Sequence, residues 1–498
     1  MRMGLDMMEN RTFASRKRWM ARAVGALCLC AAAAAGKPEI AIQGFGWVQT
    51  GMIGNATDTL RFNFNHNWMQ TAATQITANM LVDEHWSGAL GIGAGQEHPM
   101  QGNTQNARLL RVSIATYITQ ANFTYSTGYE GKDRDHSLFS ATFGFFPYNY
   151  NPDVKNLGLY LLRGPVYPGA LVSGFETKET LPISNFLGTR LHTSLGQTEH
   201  DLIFSSETEN KPLFDYSLAY IFSHRLGEAF RYGAGVNFYH LLPVYPFATN
   251  PRDSKQFTFV PAADVKDPID RNYFYVDPAD PADTTWLSNQ GTKLDAFFRF
   301  DPKGFLPDAG FGKNDLLLYG EVGLIGVQNY KGIYADRFQR MPIMGGFNLP
   351  AFGWLDNLSL EVEYYSSPYK NDLTELQTEF SPTPVSNRAN NLSPKTLDSG
   401  YVTAKGDTLR AARVVVSQSG TVFEDVPWGD PYDMSHLHQD DWKWSLHAAK
   451  TVMGHIRISG QVANDHFRPG GTGTTPTYFS IFSTPADWYW MAKLTYFF

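Results

Sequence analysis

The feature that most constrains this chain is a period-two alternation of apolar and polar residues, repeated in short segments along most of its length. Successive side chains of a strand face opposite ways, so each such segment assigns its own two faces. In "QITANMLVDEHW", Ile76, Ala78, Met80 and Val82 share one face, with Thr77, Asn79 and Asp83 opposite. "FDYSLAYIF" aligns Phe214, Tyr216, Leu218, Tyr220 and Phe222 against Asp215, Ser217 and Ala219. "KLDAFFRFD" sets Leu294, Ala296, Phe298 and Phe300 against Lys293, Asp295, Phe297, Arg299 and Asp301. "NLSLEVEYY" sets Leu358, Leu360, Val362 and Tyr364 against Ser359, Glu361, Glu363 and Tyr365. The pattern recurs at 110–118, 230–238, 442–447 and 456–462.

A secreted sandwich or propeller also strings together alternating strands. Two features favour a membrane-spanning barrel instead. The apolar face carries Phe, Tyr and Trp near strand ends, as an interfacial girdle requires, and the other face carries isolated charges in mid-strand, as a wet lumen admits. No blade-length repeat supports a propeller. Composition agrees: aromatics are 14% of the 498 residues, charged residues 18%, and mean hydropathy is −0.29. That is too polar for a helical membrane protein and too aromatic for a disordered one.

Connections alternate in length. The turns around 84–88, 224–229 and 451–455 are tight, whereas 243–290, 366–440 and 466–485 are long, polar and rich in Pro, Asp, Asn, Ser and Thr. The expected fold is therefore an all-β, transmembrane, antiparallel up-and-down β-barrel of about 16 strands, within 14–18, with short periplasmic turns and long extracellular loops.

The N-terminal stretch reads as a secretory signal peptide. Arg16, Lys17, Arg18 and Arg22 precede the short apolar run "AVGALCLCAAAAAG", and cleavage is expected near Ala35. This leaves 36–498 as a single barrel domain. Both cysteines, Cys28 and Cys30, fall in the removed part, which excludes a disulfide framework or a thiolate site in the mature chain. The formal net charge is −7 and becomes more acidic once the basic leader is gone, which argues against a nucleic-acid partner.

Counting back by twos from the last residue gives Phe498, Tyr496, Leu494, Ala492 and Trp490. This alternation resembles the C-terminal β-signal of Gram-negative outer-membrane β-barrel proteins. The resemblance implies residence in the outer membrane, contact with its lipid and lipopolysaccharide, and recognition of the last strand by the assembly machinery. It also admits a homotrimer.

A second segment, "FGFFPYNYNPDVKNLGLYLLRGPVYPG" (143–169), starts as a strand that Pro147 is expected to end. The residues after it, among them Leu157, Leu159, Tyr160, Leu161, Leu162, Val166 and Tyr167, are too apolar for an exposed loop. It is similar in character to the inward-folded loop of porins. Residues 148–168 either narrow the barrel, with Lys155 and Arg163 presenting charge to solutes, or cap the rim or a neighbouring protomer. Other charges assigned to the lumen are Arg111, Arg231, Lys293, Arg299, Lys443, His447, Arg457 and Lys493, against Asp215, Asp295, Asp301, Glu321, Glu361 and Glu363. Opposed charges of this kind either set a transverse field across a pore or cross-link a closed lumen.

Two loop clusters have metal-like composition. Asp277, Asp280 and Asp283 are equally spaced but lack a Gly-turn ligand loop, and His436 and His438 lie near Asp433, Asp440 and Asp441. Solvated polar loops account for both more simply, and no cofactor is expected. No G-x-S-x-G, H-E-x-x-H or P-loop occurs, so no enzyme is expected. The reading is a porin-like channel for passive diffusion of small hydrophilic solutes. The alternative is a receptor or adhesin whose loop aromatics, such as Tyr273, Phe274, Tyr275 and Trp286, stack on a polysaccharide.

Overall fold

The computed structural model describes residues 38–56, 65–66, 68–97, 113–129, 137–162, 184–208, 214–244, 274–277, 280–286, 290–307, 310–329, 336–366, 411–417, 420–426, 442–465 and 484–498. The leader at 1–35, Arg111, Arg163, Tyr273, His436 and His438 lie outside them. Sixteen antiparallel strands close on themselves. In chain order they are β1 (Glu39–Asn55), β2 (Trp68–Leu81), β3 (Trp86–Glu97), β4 (Ser113–Tyr129), β5 (Ser137–Tyr148), β6 (Ser184–Leu195), β7 (Thr198–Ser206) and β8 (Tyr216–Leu226). There follow β9 (Phe230–Leu242), β10 (Gly291–Phe300), β11 (Leu318–Leu324), β12 (Ile343–Asn348), β13 (Asn357–Tyr364), β14 (Trp442–Val452), β15 (Ile456–Ala463) and β16 (Trp488–Phe497). Each pairs with its sequence neighbour, and β16 returns to β1. Two short hairpins, Phe274–Asp277 with Asp280–Trp286 and Ala411–Ser417 with Gly420–Val426, stand apart within the long connections.

The faces follow the alternation. In β13, Leu360, Val362 and Tyr364 are exposed on the outer wall while Ser359, Glu361 and Glu363 are buried inside. In β16, Leu494 and Tyr496 face out while Tyr489, Met491, Lys493 and Thr495 are buried inward. Closure is continuous from Phe45↔Phe497 to Met52↔Trp490, and Gly44 and Phe498 exchange backbone hydrogen bonds of 2.8 and 2.9 Å. Trp490 meets Trp68 edge-on at 5.7 Å on the outer wall. Every strand is paired on both sides over part of its length, so the sheet has no edge strand for a foreign strand to extend.

The two rims differ. One carries the connections 82–85, 196–197, 227–229, 301–317, 349–356 and 453–455, and the other the long stretches 149–183, 243–290, 365–441 and 464–487. At 453–455 the chain reverses through Met453 (φ 55°) and Gly454 (φ 74°), the left-handed pair that a tight hairpin needs. On the same rim Asp315 ties two turns together. Its carboxylate accepts from the N–H groups of Gly312 and Phe352, both at 2.8 Å. Burial pushes the Asp315 carboxyl up, but the N–H groups of Gly312, Ala351 and Phe352, with Lys303, outweigh it and hold the group below its usual range.

One expectation fails locally. β5 runs through Pro147 to Tyr148, paired with Asn185 and Ser184 of β6. Its ladder to β4 has already stopped at Phe145, so the donor that proline lacks falls where no partner strand remains.

Candidate functional site

Beyond Tyr148 the chain turns into the barrel. Residues 149–162 have no regular secondary structure, yet Leu157, Leu159, Tyr160 and Leu161 are all at most 2% exposed. They lie against inward-facing side chains. Leu159, Leu161 and Tyr150 pack with Ile203, Ala219, Ile221 and Phe297 of β7, β8 and β10. Val154, Leu157 and Tyr160 pack with Tyr319 and Met344 of β11 and β12, and with Tyr365. Burying each of these aliphatic side chains contributes about 1.5–3 kcal/mol. The inner wall offers the segment apolar patches with buried carboxylates set among them.

Irregular backbone inside a barrel must find hydrogen-bond partners; two strand carboxylates, Glu361 and Glu321, take backbone N–H groups, and a third, Glu363, takes a side chain. Glu361 accepts from the N–H groups of Lys155, Asn156 and Leu157, the latter two at 2.8 Å, and from the Tyr319 hydroxyl at 3.0 Å. Glu321 accepts from Tyr150 Oη (2.7 Å), Asn151 Nδ2 (2.9 Å) and the Tyr160 N–H (2.7 Å). Glu363 accepts from Tyr160 Oη at 2.8 Å. Asn156 also reaches Asp465 through its side-chain amide. Close approach needs glycine on the wall. A Cβ at Gly323 would lie 2.5 Å from the Cβ of Tyr160, and one at Gly235 would run into Leu161. The segment turns at Gly158 (φ 79°) and Leu159 (φ 63°); the latter's left-handed conformation costs about 1–2 kcal/mol and persists under its burial.

The other charges assigned to the lumen distribute as follows. Lys155 is half-buried on the segment itself, and its ammonium donates to the Pro152 carbonyl at 3.3 Å. Arg299 pairs with Asp153 of the segment (3.3 Å) and with Asp301 (3.5 Å). Arg231 lies 3.7 Å from Glu199 and over the Phe297 ring. Lys293 and Lys493 lie over the rings of Tyr239 and Trp47, at 4.7 and 4.8 Å. Lys443 is buried on the inner face of β14 beside Ser445 and His447, and Arg457 lies on the inner face of β15 with Ser459 and Gln461. Glu361 and Glu363, read from the sequence as charges offered to solutes, are 1% exposed and turned to the inserted segment. Asp277, Asp280 and Asp283 fall on the hairpin of the long loop. Among the described residues no three His, Asp or Glu side chains gather as a metal set.

Sequence reasoning missed a cluster on β5–β7. Asp201 accepts from Arg190 Nε (2.7 Å), His192 Nδ1 (2.9 Å) and Tyr148 Oη (2.8 Å), and the Arg190 guanidinium stacks 4.9 Å from the Tyr148 ring. The arginine and histidine side chains are 29% and 18% exposed, so water reaches the inner face there. Alternation in "GTRLHTSL" and "TEHDLIFSS" already places Arg190, His192 and Asp201 opposite Leu191 and Leu202. The inner apolar wall had a signal too: Phe297 beside Phe298, and Ile221 between Tyr220 and Phe222, are apolar on both faces, as an internal cover requires.

Fold and interior together define a closed sixteen-stranded antiparallel β-barrel with a chain segment packed inside it. No family model and no curated protein matches the chain. Among solved structures it is similar to engineered variants of the porin of Rhodopseudomonas blastica. Two of them show 9% and 8% identity with TM-scores of 0.40 and 0.41, each alignment covering 92% of this chain and 100% of that one.

Proposed function

We propose that the protein is a porin-like channel of a Gram-negative outer membrane, through which small hydrophilic solutes diffuse passively. The observation that carries this reading is the inserted segment 149–162, anchored to the inner wall by Glu321, Glu361 and Glu363. A barrel of sixteen strands leaves an aqueous lumen, and a fixed internal segment sets its width. The apolar outer wall supports a lipid environment: Ile40, Ile42, Val48, Ile92, Ile118, Ile458 and Leu494 are all exposed, more apolar surface than a soluble monomer shows. The partly exposed Arg190, His192, Arg231 and Arg299 support a wet, charged path beside the segment. In this reading Lys155, Arg163, Arg111 and Arg457 bias which solutes pass, the buried Lys293, Lys443 and Lys493 act only through their field, and residues 1–35 direct export.

Single-channel recording from the purified barrel in a planar bilayer tests the function. Stable ohmic steps are expected, and deletion of 150–166 should raise their conductance. Silence from correctly folded protein would overturn the channel and favour a receptor or adhesin. Unchanged conductance after the deletion would remove the narrowing role of the segment.

A further inference from the structure

Beneath the inserted segment lies a carboxylate that no donor satisfies. Asp295, on the inner face of β10, is 5% exposed, and neither of its side-chain oxygens has a hydrogen-bond partner. Its cross-strand neighbours are Gly235 and Gly323, the seats of Leu161 and Tyr160, so the segment roofs it over. Diagonally across the ladder, two positions along β11 from Gly323 and on the same inner face, is a second carboxylate, Glu321, which itself holds Tyr150, Asn151 and Tyr160. Nearby cations are directed elsewhere: Lys293 over Tyr239, Arg231 to Glu199, Arg299 to Asp153. Two carboxylates placed diagonally on one face, both out of water, repel each other unless positive charge lies between them.

We propose that Asp295 and Glu321 form a site for a divalent, oxygen-preferring cation such as Ca²⁺ or Mg²⁺, and that the bound ion locks residues 149–162 against the wall. A shared proton is the competing solution, but one proton serves one oxygen and leaves the other Asp295 oxygen orphaned. A cation takes both, and a double positive charge balances the pair. The groups at hand are all oxygen, the two of Asp295 and the carboxylate of Glu321 with the Tyr150 hydroxyl bonded to it at 2.7 Å, and oxygen favours hard cations. Every segment residue bound by Glu321 then depends on the ion, so occupancy couples to the position of the segment. This last step rests on the channel reading; the site itself does not.

The test compares the wild-type full chain with Asp295→Asn and Glu321→Gln in detergent micelles, in EDTA and in millimolar Ca²⁺. Thermal unfolding of the wild type should shift up by several degrees with Ca²⁺. Asp295→Asn should lose that shift, while melting in EDTA no lower than the wild type, because an amide there needs no counter-charge. Tyrosine-sensitised Tb³⁺ luminescence, competed by Ca²⁺, reads the site in the wild type even if a variant fails to fold. No Ca²⁺ response and no competed Tb³⁺ signal, or equal responses in wild type and Asp295→Asn, would overturn the proposal. In bilayers Ca²⁺ should reduce wild-type conductance and leave that of Asp295→Asn unchanged. A barrel that never conducts yet keeps its Asp295-dependent shift removes the channel reading and leaves the site standing.

Discussion

The Glu361 carboxylate accepts the backbone N–H of Leu157 at 2.8 Å, joining a strand in the last third of the barrel to a segment that leaves its fifth strand. Asn156 and Lys155 donate to the same group, so one side chain caps three successive amides. Such a row of N–H groups is a concave anion site, filled here by the protein's own glutamate. Glu361→Ala leaves those amides buried and unpaired, at about 1–3 kcal/mol each. The expected result is a barrel that still closes but whose 149–162 segment becomes open to protease. Glu361→Gln should lie between, since its amide oxygen keeps part of the acceptor capacity.

Gly323→Val tests the seat rather than the anchor. A side chain there meets Tyr160 at sub-contact distance and displaces it. Overpacking of this kind costs typically 1–3 kcal/mol. Adding Tyr160→Ala should recover part of the lost stability. If the double variant is as unstable as the sum of the singles, the two residues do not act on one contact.

Acid should loosen the short-turn rim before the barrel. Asp315 titrates lower in the folded chain than in the unfolded one, where its value is near 4. Its contribution is therefore present above that unfolded value and lost as pH falls through the lower folded value. Hydrogen exchange at Gly312 and Phe352 should accelerate on acidification beyond the intrinsic trend. In Asp315→Asn the two amides should exchange faster already at neutral pH, with little further pH dependence.

Leu202→Arg tests the outer wall. Leu202 is exposed in the middle of β7, and its neighbour Ile203 is fully buried inside. An arginine at the bilayer midplane of a barrel costs about 2–4 kcal/mol, and much less in water. Folding yield into liposomes should fall sharply. Wild-type yield would argue that this face does not meet lipid.

The alternation made the faces of β8, β10, β13 and β16 legible residue by residue, because strand geometry converts sequence parity directly into side. It also gave the strand number and the inequality of the rims, since turn chemistry is local. The apolar character of 157–162 announced that the segment is sheltered. Parity alone could not say by what, because sheltering is a property of the partner surface.

What the sequence by itself determined is thus the closed all-β architecture, the apolar exterior and the polar interior. Only the tertiary structure decided which interior charges stay near water and which are consumed. Asn156 and Glu361 are 205 residues apart, and Tyr150 and Glu321 are 171 apart. Their meeting depends on the cumulative register of the strands between them and on two glycines small enough to admit the segment. A one-residue slip in any of those ladders would send Glu361 or Asp295 to the opposite face, and no local pattern records the sum of the registers.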